Sequence, residues 1–543
     1  MGRNMTVFEY GNDIVIVDMG IQFPEEDMPG IDYIIPNINY LKDKLKKIKA
    51  VVFTHGHLDH IGAAPILLEK LGYPLVISRE FTVALIKRKM EEYKKGSASR
   101  LKTIKVKSSP LKEKISLGQI KLDFFDVEHS IIDSMGVIIS SPVATAIHTG
   151  DWTLDVDSSG RKLSYHFLSK LNKPTILMIE SLGAVNRQPL VTEEDMWKNI
   201  KTIIDEAPGR IIIATFSSQV KRIREILNYT QKIGKKVAID GYSMKMILAI
   251  AKKLGYIKVG KETLIDIRKI DDYPPNKTVI ICTGGQGEPK AVLARLVTDN
   301  HSYLKLKKTD TIIFSSSVIP GNERTVQSLK DGLYRKCDNV IHNEIMNVHV
   351  SGHTNIKAIQ EVIRQIKPTY VLPVYANHYF LKEAKKVIKE IGFPENKIFV
   401  LDNGQIINFN KTKAPVIEKE KAATNYVFID GLGIGDVGEI VLRDRQMLAK
   451  DGMFVIVVVV DKQTGKVKGS PDIISRGFVY LRESKELLKD TRKRVVEIVH
   501  RATGSGGAVN WSYIKEEIRN KIGQFFYTRT QRRPMILPVV IEV

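Results

Sequence analysis

Three of the chain's 12 histidines and one aspartate fall inside a single hexapeptide, His55-Gly-His57-Leu-Asp59-His60. Imidazole nitrogens and carboxylate oxygens are the ligands that zinc-type cations take. His55 and His57 are two residues apart on an extended segment, so their side chains project to one side. Asp59 and His60 come one turn later and can face a second position beside the first. Such a density of ligands suits a two-metal hydrolytic site, which activates water and offsets charge on the group being cleaved.

The elements needed to position this cluster are legible around it. An apolar strand, Ala50–Thr54, leads into it and a helix, Ile61–Leu71, leads out, closed by Gly72 and Pro74. Further strands are expected at Ile14–Asp18, Pro74–Ser78, Lys121–Val127 and Gly136–Ser140, with a charged helix at Phe81–Lys95. From about Thr192 to Asn343 strands and helices alternate. Strands at Arg210–Thr215, Lys235–Asp240, Thr278–Cys282 and Thr311–Ser315 are followed by helices at Gln219–Ile233, Ser243–Leu254, Glu288–Val297 and Asn322–Leu333. That order predicts a parallel sheet covered by helices, a domain of its own. Strand–helix units resume over His349–Ile366, Tyr370–Pro373 and Leu381–Ile391. Lys411–Thr424 reads as a linker. A final α+β unit has strands near Glu439–Leu442, Phe454–Val460, Lys466–Lys468 and Met535–Val540, helices at Ser484–His500 and Ser512–Phe526, and a turn at Gly504–Gly507.

The 543 residues are too many for one core. Lys and Arg number 83 against 61 Asp and Glu, a net charge of +22, which favours polyanionic partners through counterion release. Cys282 and Cys337 form no Cys-x-x-Cys pair and fit a reducing compartment. The longest apolar run, Met453–Val460, can be a buried strand but cannot span a bilayer. The composition predicts a soluble, cytoplasmic protein with no membrane partner.

Other residues fall in order along the chain. Asp18 ends a strand in Val-Asp-Met-Gly, His129 follows a strand in Glu-His-Ser, and Asp151 lies in His-Thr-Gly-Asp-Trp. With His55–His60 they resemble the metallo-β-lactamase superfamily. The resemblance implies that His55, His57 and His129 hold one metal, Asp59 and His60 the other, and Asp151 bridges both. Asp18 would hydrogen-bond a ligand imidazole and fix its tautomer.

Three internal motifs narrow the resemblance to the β-CASP nucleases and, within them, the ribonuclease J family. They are Thr283-Gly-Gly-Gln-Gly-Glu-Pro289, Ser315-Ser-Ser-Val-Ile-Pro-Gly-Asn-Glu323 and Val348-His-Val-Ser-Gly-His353. Asp430–Gly438 and Ser475–Tyr480 resemble that family's C-terminal domain. Each internal motif is expected to follow a strand and open a helix, so that backbone N–H groups converge on phosphate. The implied fold is α/β: a metallo-β-lactamase αββα sandwich over 1–190 and 348–410, an inserted parallel β-CASP domain over 191–347, a linker over 411–429 and an α+β domain over 430–543. The implied activity is 5′-to-3′ exonucleolysis of RNA from 5′-monophosphate ends with some endonucleolytic cleavage. Asp59 would also accept a proton, His353 would stabilise the transition state or protonate the leaving oxygen, and Glu180 would orient. Ser351, Gly352, His353 and Ser315, Ser316 and Ser317 would bind RNA phosphate. The partners implied are RNA and further subunits: a homodimer, a homotetramer, or a hetero-oligomer with a paralogue.

The chain departs from the family pattern in three places. Where the family reads Pro-x-His-Gly-Glu, this chain reads Pro373-Val-Tyr375-Ala-Asn-His378. Tyr375 and His378 are therefore candidate metal ligands or outer hydrogen-bonding groups. The second metal is expected to bind weakly, or to be Mn2+ or Mg2+ with more water ligands in place of zinc. The family's GRSM turn is Gly241-Tyr-Ser-Met244, without its arginine. The Met1-Gly-Arg-Asn start falls inside the family's Gly-rich first turn, so a first strand is expected to be missing.

Overall fold

The computed structural model describes residues 2–107, 114–154, 164–188, 191–319, 321–479, 484–503 and 510–543. Pro320, Tyr480 and the Gly504–Gly507 turn lie outside the described residues. The chain forms two compact units, Met1–Gln22 with Ile35–Tyr426, and Phe23–Ile34 with Val427–Val543.

In the first unit two mixed sheets face each other. One runs in the order Thr6–Tyr10, Asp13–Val17, Ile48–Val52, Leu75–Ser78, Thr103–Lys105. The other runs Tyr370–Val374, Thr175–Glu180, Thr145–His148, Met135–Ser140, Ile120–Asp126, Ile115–Leu117. Alternate residues of both point inward: Val15, Val17, Ala50 and Val52 meet Leu122, Phe124, Val137 and Ile139 in one core. Each fully buried Val, Ile or Phe there contributes about 1.5–3 kcal/mol. The outer face of the second sheet is covered by helices Ile356–Ile366 and His378–Glu390 through Ile359, Val362, Ile363, Val387 and Ile388.

The inserted sheet is wholly parallel, in the order Leu264–Ile265, Lys236–Asp240, Thr278–Cys282, Ile211–Thr215, Thr311–Ser315, Asn339–Ile341. Its strands are near-continuous runs such as Ile211-Ile-Ile-Ala-Thr215, buried on both faces as crossover helices require. Arg210 sits at the edge of this core. Its Nε and Nη2 donate to Asp310 Oδ1 and Oδ2 at 2.9 and 2.7 Å, and Nη2 also to Lys305 O at 2.6 Å. Arg210→Ala is expected to lower stability by about 3–5 kcal/mol, because Asp310 would be left buried and unpaired. Thermal unfolding should show that loss, and Arg210→Met with Asp310→Leu should recover most of it.

The main core of the second unit lies between a three-stranded sheet and two helices. Met453–Val460 lies between Asp472–Arg476, antiparallel, and Met535–Glu542, parallel. Phe454, Ile456, Val458 and Val460 pack on Val495, Val499, Ile514, Ile518 and Phe526 of helices Lys485–Thr503 and Trp511–Thr530.

Several expectations are corrected. Glu439–Leu442 is not a strand but the first turn of helix Glu439–Asp451; its β-branched pair is outvoted by the strong helix formers from Arg443 to Lys450. Lys466–Lys468 contributes a single bridge, Val460 to Val467. Residues 411–429 include a strand, Val416–Lys421, paired with Gln405–Asn408. The helix after His60 is broken into Leu58–Ile61 and Ala64–Lys70. No strand immediately precedes Val348–His353; the last one ends at Ile341.

Candidate metal centre

Four of the groups gathered at the site sit at or just beyond the carboxyl end of a strand, and Asp59 and His60 follow on the short helix Leu58–Ile61. Asp18 follows Val17, His55 follows Val52 by three residues, His129 follows Asp126 by three, and Asp151 follows His148 by three. Strands Ile120–Asp126, Thr145–His148, Thr175–Glu180 and Tyr370–Val374 run in one direction, so these ends share one edge of the sandwich.

Two groups of side chains converge there. His55, His57, His129 and Asp151 form one, and Asp59, His60 and Asp151 the other. His57 Nδ1 lies 3.1 Å from both His55 Nε2 and His129 Nε2. Asp151 Oδ2 is 3.8 Å from His55 Nε2 and from His129 Nε2, and its Oδ1 is 3.3 Å from His60 Nε2.

The tautomers follow from the outer contacts. His129 Nδ1 donates to Gly352 O at 2.7 Å, leaving a lone pair on the inward Nε2. Thr54 Oγ1 donates to Asp18 Oδ2 at 2.9 Å, so it accepts from His55 Nδ1 at 3.0 Å and His55 Nε2 also keeps its lone pair. Asp18 further accepts from Thr54 N at 2.8 Å, from His60 Nδ1 at 2.8 Å and from Tyr375 Oη at 3.1 Å. One buried carboxylate, held at a φ of +64°, thereby orients His60 directly and His55 through Thr54.

Burial keeps the first group neutral. It pulls His57 down to about 4, His129 down to about 3 with His57 adding to the effect, and His55 well below the ordinary histidine range. Asp151 is the opposite case: burial would raise it, but His60 and His55 hold it well below the usual carboxylate value. Burial also works against charge on His60, and Asp151, Asp59 and Asp18 overcome it. The result is imidazole nitrogens meeting at 3.1 Å, with the lone pairs of His55 Nε2 and His129 Nε2 turned inward, and a buried Asp151 Oδ1 with no hydrogen-bond partner. A divalent cation satisfies this set; water, with its own hydrogens and lone pairs, does so poorly.

The comparisons with known proteins agree with this geometry. Residues 1–162 match the metallo-beta-lactamase superfamily, 208–333 the ribonuclease J beta-CASP domain, and 440–543 the ribonuclease J C-terminal domain. Ribonuclease J2 of Bacillus subtilis (strain 168) is 34% identical over 100% of this chain and 97% of its own length. Ribonuclease J 1 of Streptococcus pyogenes serotype M3 is 34% identical over 100% and 95%. The chain belongs to the ribonuclease J family. A protein of unknown function from Enterococcus faecalis V583 shares the fold, with a TM-score of 0.51 at 14% identity over 77% of this chain and 97% of that one.

As a ribonuclease J family member the chain has two features that its motifs did not place. Tyr375 Oη donates to Asp18 Oδ2 at 3.1 Å, the place of an outer hydrogen-bonding group, and burial raises its pKa well above the ordinary tyrosine value. His378 is exposed and pairs with Asp402 at 3.0 Å, away from the cluster. His353 is half-buried beside His129, ring centroids 5.4 Å apart, with Nδ1 3.7 Å from Glu180 Oε2. Burial opposes charge on His353, but Glu180 and Asp151 raise it to about 9.

The serine candidates divide. Ser315 is buried, its hydroxyl donating to Val348 O at 2.7 Å and accepting from Arg222 Nη1 at 3.1 Å, so it is committed to the fold. Ser316 Oγ is buried with no hydrogen-bond partner, and Ser317 is exposed. Ser351 Oγ accepts from His353 N at 3.1 Å, and Gly352 holds His129. Gln286 ties the Thr283–Pro289 and Ser315–Glu323 loops together, donating to Ser317 O at 2.7 Å and accepting from Ile319 N at 2.8 Å. Sequence reasoning missed Asn4, whose side-chain amide is 3.1 Å from His60 Nε2, and Ser218. The Ser218 hydroxyl is 3.2 Å from His57 Nε2, and its place just past strand Ile211–Thr215 was the available signal.

Proposed function

We propose that this chain is a divalent-metal-dependent ribonuclease acting in RNA processing and mRNA decay. It hydrolyses RNA phosphodiesters 5′-to-3′, favours 5′-monophosphate ends and cleaves internally at some sites. The observation that carries the reading is the strand-end cluster, in which neutral imidazoles and an orphaned carboxylate oxygen meet at one point. His55, His57, His129 and Asp151 would hold one cation, and Asp59, His60 and Asp151 a second. When bound, such cations supply Lewis acidity to a phosphodiester and to water. Zinc fits the nitrogen-rich group, and Mn2+ or Mg2+ a group richer in oxygen.

The chain's own groups do the rest. Asp59, whose side chain is 43% exposed, is the cluster carboxylate best placed to accept a proton from water. His353, protonated at neutral pH, stands where it can offset phosphoryl charge or protonate the leaving 3′ oxygen. Glu180 orients and charges it. Gly352, Ser351, Ser316 and Ser317 line the approach expected for RNA phosphate, and the net charge of +22 favours such a polyanion. The names of the full-length relatives support RNA as substrate. A time course with 5′-labelled RNA tests this. Mononucleotides should appear mainly from the 5′-monophosphate substrate; equal release from 5′-triphosphate RNA would remove the end preference.

Tyr375 favours a second reading, an RNA-binding partner subunit of an active ribonuclease J. In that case the lone protein would bind RNA and leave it intact in saturating Mn2+.

We also infer self-association through the C-terminal unit. Its sheet turns Ile474, Leu537, Val539 and Ile541 to solvent, each 39–46% exposed. Val539→Glu with Ile541→Glu should reduce a dimer or tetramer to monomer in light scattering; an unchanged mass would place the contact elsewhere. Among the described residues no helix is long and apolar enough to cross a membrane. The free, buried Cys282 and Cys337 fit the reducing cytoplasm.

A further inference from the structure

The second group of ligands is short of a partner, and the structure supplies one that no motif marks. His60 Nδ1 is bonded to Asp18, so Nε2 is the ring nitrogen turned toward the cluster. Around that nitrogen lie Asp151 Oδ1 at 3.3 Å, Asp59 Oδ2 at 3.4 Å and the side-chain amide of Asn4 at 3.1 Å. The same amide is 3.2 Å from Asp59 Oδ2. Asp151 Oδ1 is buried and has no hydrogen-bond partner. Tyr375 does not fill the gap, because its hydroxyl is turned to Asp18.

Asn4 is held in place independently of its side chain. Its backbone N donates to Asp59 O at 3.2 Å, and its carbonyl accepts from Gly20 N at 3.0 Å. Gly20 is required for this approach: a Cβ there would come within 1.5 Å of Asp59 O. The amide Nδ2 donates to Asp59 Oδ2 at 3.2 Å and lies 3.1 Å from His60 Nε2. A half-turn of the amide exchanges its nitrogen and oxygen and would present Oδ1 to the same point.

We propose that the Asn4 carboxamide oxygen is the missing ligand of the second cation, making that position oxygen-rich and selective for Mn2+ or Mg2+ over zinc. The inference rests on the two-cation reading above. Asp59, Asp151 and Asn4 would give oxygen and only His60 nitrogen, whereas three imidazoles and Asp151 define the first position. Hard cations take carboxamide and carboxylate oxygens, and zinc the imidazole-rich site.

The test is a titration of Mn2+ into the full-length protein loaded with one equivalent of zinc, followed by electron paramagnetic resonance and calorimetry. The wild type should bind one further Mn2+. Asn4→Ala should weaken that binding by about tenfold or more, and Asn4→Asp should restore it, with zinc retained at the first position in both. Retained zinc shows that the variants are folded. If Asn4→Ala binds Mn2+ like the wild type, or Asn4→Asp binds no better than Asn4→Ala, the Asn4 assignment is overturned and the two-cation reading stands. If the zinc-loaded wild type takes up no second cation, both fall.

Discussion

Asp151→Asn is expected to lower kcat/KM on 5′-monophosphate RNA by about a thousandfold or more, and to release cation from both positions. Asp151 is the one residue common to both ligand groups. Its Oδ2 faces His55 and His129 and its Oδ1 faces His60. Asparagine matches its size, so the fold should survive, but it removes the charge and one of the two acceptor atoms. Loss of activity with full cation content would mean that Asp151 does not hold metal.

The second large effect concerns His353. His353→Ala should cost about 10²–10⁴-fold in kcat, with cation content unchanged, as expected for a group that handles a proton or charge in the transition state. The pH profile gives a finer reading. His353 has a raised pKa, about 9, because Glu180 outweighs the burial that opposes its charge. Its protonated form is therefore fully present below the ordinary histidine value and is lost as pH rises through about 9. Activity should fall on that alkaline limb. Glu180→Gln removes the neighbouring charge and should move the limb to lower pH. A limb that stays in place would assign it to another group.

The sandwich was readable because its strands are apolar runs that end in functional residues. Ala50–Thr54 into His55, and Ile14–Asp18, needed only period and punctuation to place. The inserted sheet was readable for the same reason: strands Thr278–Cys282 and Thr311–Ser315 stand where the run of β-branched residues put them. Short windows misled where the decision is made by neighbours. Glu439-Ile-Val-Leu442 is strand-like by itself but belongs to a helix whose formers lie downstream.

The site divides along the same line. His55, His57, Asp59 and His60 are adjacent in sequence, and His129 and Asp151 follow strands, so local reasoning could reach them. Asn4 touches Asp59 across 55 positions, and Ser218 touches His57 across 161. Only the packing of the strand ends brings these together. Ser315 shows the converse: its motif suggested a ligand contact, but its hydroxyl serves Val348.

The most direct test of the central claim is RNA hydrolysis by metal-free protein with single divalent cations added back, the bound metal being counted in each sample. The account predicts that the chelated wild type is inert, that activity returns with cation bound at the His55–His60 cluster, and that Asp151→Asn recovers neither. RNA hydrolysis that persists in the chelated protein, or in Asp151→Asn at wild-type rate, would contradict it.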